Sequence, residues 1–352
     1  MTVITDTIDM TETLMFSEAR EGGEAVARFL ERNHDALKTL AAHLKANPPQ
    51  VVITCARGSS DHASTYGKYL IETLIGVPVA SAALSVSSVY GAKPVAANAL
   101  LIAVSQSGRS PDLLTTVEAY KAAGAYVVVL VNDESAPLVG LADTVLPLSA
   151  GPEKSVAATK SYIVSLAAYA AIVAEWSDNQ GLKDGLTALP AQLKSAFEAD
   201  WSPALATFEA ATNLFIIGRG YSFGVAQEAA LKLKETCALH AEAFSSAEVR
   251  HGPMAIVREG FPILALATSD TAGDGVREAA TEFAGRKADV WLADTRTPEG
   301  LTGHVLPALT AEPALEPILR IQSFYRFANA LSLARGLDPD APPHLNKVTR
   351  TV

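Results

Sequence analysis

Short runs of β-branched and aliphatic residues, each followed by a stretch of helical spacing, recur along the chain and leave it few possible folds. They stand at Val51–Cys55, Val77–Ala83, Ala99–Ser105, Tyr126–Val131 and Thr144–Leu148, with helical stretches at about 60–74, 111–123 and 159–176. Nearly all-apolar strands bounded by helices specify a parallel sheet covered on both faces, because only a strand buried on both sides can be apolar throughout. The alternation restarts at Asn213–Ile217, Pro262–Thr268, Asp289–Ala293 and His304–Leu309, with helices expected at about 223–240, 274–286 and 313–335. Arg57-Gly58-Ser59-Ser60 follows the first strand of one half, and Arg219-Gly220-Tyr221-Ser222 follows the first strand of the other, 162 residues on. The expected architecture is α/β, two copies of one domain in which a parallel sheet is flanked by helices, over 48–178 and 201–335. A helical N-terminal segment (1–47, helical from about residue 12 and stopped by Asn47-Pro48-Pro49) precedes them. Residues 179–200 read as a linker helix plus turn, and 336–352 as a C-terminal tail.

Composition supports cores of that size: of 352 residues 49% are hydrophobic and 19% charged, which argues against disorder. There are 38 acidic and 28 basic residues, a net charge of −10, so the chain is not built to coat nucleic acid or anionic lipid through bulk charge. A small anion is still allowed, since a few oriented N–H groups bind phosphate whatever the net charge. The two cysteines, Cys55 and Cys237, lie in apolar runs, which fits a reducing cytoplasm and no disulfide framework. The start, MTVITDTIDM, lacks the basic residues and apolar core of a signal peptide. The longest apolar run, Tyr162–Trp176, is broken by Ser165 and too short to span a bilayer. A cytoplasmic protein, without membrane or nucleic-acid partners, is expected.

Five segments could carry chemistry. In Cys55-Ala56-Arg57-Gly58-Ser59-Ser60 a glycine at the end of a parallel strand lets backbone approach a ligand. The helix that follows offers free N–H groups, a positive end and two hydroxyls, although a plain helix cap would look the same. In Ser105-Gln106-Ser107-Gly108-Arg109-Ser110-Pro111-Asp112, Ser110 and Pro111 suffice to start a helix. Ser105, Gln106 and Ser107 are therefore surplus donors that suit the oxygens of a phosphate monoester. Neither a nucleotide P-loop nor a dinucleotide glycine pattern is present. On the helix Ala226–His240, Glu228, Lys232 and Glu235 share one face at i, i+4 and i+7; although the surrounding leucines read as buried and a carboxylate beside an ammonium could serve as a base, spacing alone favours a solvated salt-bridge face. His251, followed by Gly252-Pro253, is presented on a turn and could exchange a proton near neutrality. No spacing of histidines and cysteines suits a metal. The stiff approach Asp338-Pro339-Asp340-Ala341-Pro342-Pro343 could hold the tail His344-Leu345-Asn346-Lys347-Val348 in one place.

In this order these pieces resemble the double sugar-isomerase-domain (SIS) family, which includes the isomerase half of glucosamine-6-phosphate synthase. The resemblance runs from about residue 13 and rests on SQSGRSPD, on GPEKSVAATKSY at 151–162, on ALKLKETCALHAEAFSSAEVRHGP at 230–253 and on the terminal Leu-x-Lys. It implies two SIS domains of flavodoxin-like, three-layer αβα build. Ser60, Ser105, Gln106, Ser107 and Ser110 fall on phosphate-binding positions, with Arg57, Gly58, Ser59, Val156, Ala158 and Asn346 in the same substrate-binding wall. Glu235 falls on the proton-transfer base, Lys232 on the lysine beside it, His251 on a ring-opening histidine contributed across a homodimer, and Lys347 on the tail lysine near the sugar carbonyl. No cofactor or metal is implied. Arg57 stands where the family usually has a small residue or cysteine, and Ala158 where the synthase has a serine.

A protein without the synthase's glutaminase domain and its cysteine nucleophile is expected, and on that expectation the resemblance implies a glucosamine-6-phosphate deaminase, a hydrolase of amino sugar metabolism releasing fructose 6-phosphate and ammonia. Alternatives on the same fold are a deglycase or isomerase for fructosamine 6-phosphate or galactosamine 6-phosphate, and a non-catalytic sugar-phosphate-binding regulator. A DNA-binding regulator needs a basic helix-turn-helix, which the acidic residues 1–47 do not supply.

Overall fold

A computed structural model describes residues 11 and 13–347; the N-terminal MTVITDTIDM and Val348 lie outside the described residues. Helices α1 (Leu14–Arg20) and α2 (Gly22–Ala46) lead into β1 (Val51–Cys55), α3 (Ser59–Leu74), β2 (Val79–Ser81), α4 (Leu84–Ser88), β3 (Ala99–Ser105), α5 (Pro111–Ala122), β4 (Tyr126–Val131), β5 (Thr144–Pro147) and α6 (Lys160–Trp176). Next come α7 (Gln180–Phe197) and α8 (Leu205–Ala210). The second set is β6 (Asn213–Gly218), α9 (Phe223–Cys237), β7 (His240–Ser245), β8 (Pro262–Leu266), α10 (Thr271–Gly285), β9 (Asp289–Asp294), β10 (His304–Pro307) and α11 (Glu316–Ala334).

Both sheets are parallel and share one topology: β2-β1-β3-β4-β5 in the first and β7-β6-β8-β9-β10 in the second. Val52 of β1 pairs with Val79 of β2 on one side and Leu100 of β3 on the other; Phe215 of β6 likewise sits between Glu242 of β7 and Ile263 of β8. This α/β order reverses direction between the first and third strand of each half. Beyond the carboxyl ends of those strands a crevice opens, because the flanking connections leave to opposite faces.

One apolar cluster joins the facing sides of both sheets, from Leu100 and Ile102 of β3 to Ile216 of β6 and Leu264 of β8, through α2, α3, α6, α9 and α11. Two smaller clusters cover the outer faces, under α5 and under α10. The longest apolar run is α6, packed against α2, α3 and α7 and buried on almost every side. Apolar residues all round a helix mean burial on all sides, and here that burial is within protein. Among the described residues no helix is long and apolar enough to cross a membrane. Helices α3 and α9 tie the two halves together at Gly224, where an added Cβ would lie 2.5 Å from the His62 carbonyl oxygen and 2.8 Å from the Tyr66 nitrogen.

Two expectations are corrected. The helix expected to reach residue 240 stops at Cys237, where Ala238 adopts the left-handed conformation (φ 48°, ψ 39°), and His240–Ser245 becomes the edge strand β7. The strand expected over Val77–Ala83 is confined to Val79–Ser81. The span 179–200, expected as a linker helix plus turn, holds the helix Gln180–Phe197 followed by a turn, the helix started by the Asn179 side chain accepting the Leu182 N–H at 3.0 Å.

Candidate active site

The first wall comes from the crevice of the first sheet. Beyond β1 the chain turns through Gly58 (φ 56°, ψ −132°), a conformation side chains disfavour, and α3 begins with Ser59 and Ser60 at its positive end. At the end of β3, Ser105 leads into Gln106 and Ser107, a loop closed by Gly108 (φ 62°), where a Cβ would lie 2.6 Å from that of Ala136. The Ser105 hydroxyl accepts the Gly108 N–H at 2.9 Å and so shapes the loop as well as facing the crevice. Ser110 sits at the cap position of α5 without capping it through its side chain, so its hydroxyl is not spent there. Arg57 is held at the rim by the buried Asp112, whose Oδ2 accepts from Nε at 3.0 Å and Nη2 at 2.8 Å.

The second wall is the C-terminal half of α9. Lys232 is buried and donates to the Glu235 carboxylate; its Nζ lies 3.5 Å from Oε1 of the fully buried Glu228. Glu228 also accepts the Tyr325 hydroxyl at 3.1 Å and meets His62 Nδ1 at 3.2 Å. Burial pulls the Lys232 ammonium down, but Glu228 and Glu235 outweigh it and hold the group above the usual lysine range, so it stays charged. The i, i+4, i+7 face is thus not a solvated one; only Glu235, 22% exposed, reaches open space.

The tail closes the site. Lys347 Nζ donates to Glu153 Oε2 at 3.2 Å and to the Ser155 carbonyl at 2.8 Å. Burial pushes the Glu153 carboxyl up. Lys347, the Ser161 hydroxyl and the N–H groups of Ser161 and Thr159 more than offset this, leaving it below the usual carboxylate range. Glu153 is the residue sequence reasoning missed. It lies inside GPEKSVAATKSY, but nothing local shows that it meets the other end of the chain.

One cleft of about 340 Å³ receives these groups: the Arg57–Ser60 turn, Ser105–Ser107 with Ser110, Val156 and Ala158, Lys232 and Glu235, and Asn346 and Lys347. His251 is the exception. It stands exposed on its turn, its N–H donating to the Glu248 carbonyl at 2.9 Å ahead of Gly252 (φ 135°), and does not line this cleft. Among the described residues no group of three or more His, Cys, Asp or Glu could hold a metal ion. The cleft therefore sets hydroxyl and amide donors on one side against a carboxylate–ammonium pair and a second ammonium on the other, an arrangement suited to holding an anion while a proton is moved nearby.

Comparison with known proteins places this geometry. Residues 47–175 and 207–297 match the SIS domain model. The glutamine–fructose-6-phosphate aminotransferase (isomerizing) of Aeropyrum pernix is 34% identical over 351 residues, which cover 95% of this chain and 56% of that protein. The chain spans about half the length of the curated relatives it matches. A candidate phosphosugar isomerase from Silicibacter pomeroyi DSS-3 superposes with a TM-score of 0.89 at 42% identity, covering 93% of this chain and all of that one. The C-terminal domain of glucosamine-fructose-6-phosphate aminotransferase from Francisella tularensis shares the fold, with a TM-score of 0.83 at 24% identity over 94% of this chain and 98% of that one. The first match takes in all five strands of one parallel sheet and the second takes in four of the five strands of the other, and together they cover more than half of the sequence: the chain belongs to the SIS domain family.

Proposed function

We propose that the chain is a phosphosugar isomerase acting on a phosphorylated amino sugar, specifically a glucosamine-6-phosphate deaminase that converts D-glucosamine 6-phosphate and water to D-fructose 6-phosphate and ammonia. The observation that carries this reading is the single cleft in which the donors beyond β1 and β3 face Glu235, Lys232 and Lys347. A phosphate on the Ser60, Ser105–Ser107 and Ser110 side supplies binding energy remote from the reacting carbons and orients them. His251 assists opening of the pyranose by general acid–base transfer, reaching the cleft from a second copy of the chain in a homodimer, which accounts for its exposure on its own subunit. Glu235 takes the proton from C2 of the open-chain amino sugar and returns it to C1, giving the ketose imine. Lys232 stabilises negative charge as the enolamine forms. Water hydrolyses the imine and ammonia leaves, while Lys347 orients the carbonyl end. No step calls on a cofactor.

The two cysteines take no part in the proposed chemistry. Both are buried, and burial pushes their thiols up to about 12 at Cys55 and about 11 at Cys237. Neither is a thiolate nucleophile. Ala158, which brings no hydroxyl to the cleft, favours as a second reading another phosphorylated amino sugar, such as fructosamine 6-phosphate or galactosamine 6-phosphate. Ammonia and fructose 6-phosphate measured together from glucosamine 6-phosphate, without glutamine, test the proposal. Equal yields are expected. Binding without ammonia transfers the assignment to another amino sugar, and inactivity on every amino-sugar phosphate leaves a sugar-phosphate-binding regulator.

A further inference from the structure

The tail lysine is held from an unexpected quarter. Asp340 accepts the backbone N–H groups of Leu14 and Met15 at the start of α1, one on each carboxylate oxygen, at 2.6 and 2.7 Å. One turn further on, the buried Glu18 accepts the N–H groups of Lys154 and Ser155. Those residues belong to the loop whose Glu153 carboxylate and Ser155 carbonyl hold Lys347, and the Val156 N–H reaches the Asp340 carbonyl at 3.4 Å. The bonds form a closed ring, from tail to α1, from α1 to loop and from loop to tail lysine. Helix α1 is itself fixed to the body of the protein. Thr13 donates to Asn329 of α11, Gln322 of α11 donates to the Ala19 carbonyl, and Met15, Phe16 and Ala19 are buried.

We propose that Asp340 and Glu18 are positioning residues for Lys347, and that α1, which brings no side chain into the cleft, sets where the tail ammonium stands. Asp340 interrupts the tail seven residues before Lys347. It shortens the free chain whose wandering would otherwise carry the amine away, while Glu18 keeps the receiving loop in register. The effect on turnover rests on the reaction proposed above; the place of the amine does not.

Reductive methylation of the intact protein with formaldehyde and cyanoborohydride, followed by peptide mass spectrometry, reads access to the Lys347 amine without any substrate. Asp340→Ala should speed methylation of Lys347 several-fold and leave Lys121 and Lys183, paired elsewhere with Asp143 and Glu175, unchanged. Asp340→Glu should restore most of the protection. Wild-type rates at Lys347 in both Asp340→Ala and Glu18→Gln overturn the proposal whatever the reaction is. With glucosamine 6-phosphate, Asp340→Ala should lower kcat by about 10²-fold with little change in KM, the effect of displacing a reacting group by an ångström. In a Lys347→Ala background it should add nothing. A further fall in that double variant, or a loss confined to KM, overturns it. If Asp340→Ala fails to fold, Asp340→Asn keeps one acceptor oxygen: intermediate methylation supports the proposal and full protection overturns it. A wild-type protein without turnover sinks the assigned reaction, while the methylation rates still decide the role of α1.

Discussion

Glu235, the proposed base, is paired with the buried, charged Lys232, which in turn lies beside the fully buried Glu228. Glu235→Gln preserves the shape and removes the basicity. Sugar-phosphate affinity by calorimetry should stay near that of the parent while ammonia release falls by about 10²–10⁴-fold, the usual contribution of a positioned acid–base group. Loss of binding along with activity would make Glu235 a structural residue. Glu153 gives a second expectation. Its carboxyl is held below the usual range in the folded chain, so its contribution is complete above the unfolded-state value and is lost as pH falls through the folded one. The stability difference between the parent and Glu153→Gln, from urea unfolding, should be flat from neutral pH to the ordinary carboxylate range and shrink below it. A difference that shrinks already near neutrality would contradict the Lys347 pairing. These residues also mark the limit of what a sequence discloses. Ser105, Gln106 and Ser107 stand out locally because they exceed what a helix start needs. Glu18, Glu153 and Asp340 act through contacts 135 or more residues away, from Glu18 to the 154–155 loop, from Glu153 to Lys347 and from Asp340 to Leu14.

Among the elements, the interior strands are legible because burial on both faces allows only apolar residues, as in β3, buried along its whole length. The edge strand β7 is not. Its sequence, HAEAFS, alternates between buried Ala241 and exposed neighbours, and it follows a helix in residues that favour helix. What ends α9 is a single conformation at Ala238, whose N–H bonds back to the Leu233 carbonyl. A non-glycine residue there is strained by about 1–2 kcal/mol, against which glycine loses about 0.4–1 kcal/mol through its freer unfolded chain. Ala238→Gly should therefore stabilise the protein by about 0.5–1 kcal/mol in denaturant titration. Destabilisation would show that the exposed methyl makes a contact worth more than the strain.

For the molecule as a whole, the repeated Arg-Gly-x-Ser turn shows a duplicated unit but not whether both copies bind. The two crevices differ in which of their donors are free. In the second crevice the Ser269 N–H donates to Glu316 Oε2 at 2.7 Å and the Gly273 N–H to Asp270 Oδ1 at 3.1 Å, so carboxylates of the protein itself occupy donors that an incoming anion would use. Arg277 is likewise committed, to Asp294 and Asp274. Calorimetric titration with glucosamine 6-phosphate should find one site per chain; a second site of comparable affinity would refute this account of the C-terminal half. The close approach at Gly224 has a different consequence. Helix α3 starts at the serines proposed to face the phosphate, α9 carries the proposed base, and backbone touches backbone where they cross, so under that proposal the pair behaves as a calliper locked at one opening. A phosphosugar one carbon shorter could still seat its anion, but its reactive carbons would fall short of Glu235: selection by reach, set by a residue that touches no ligand.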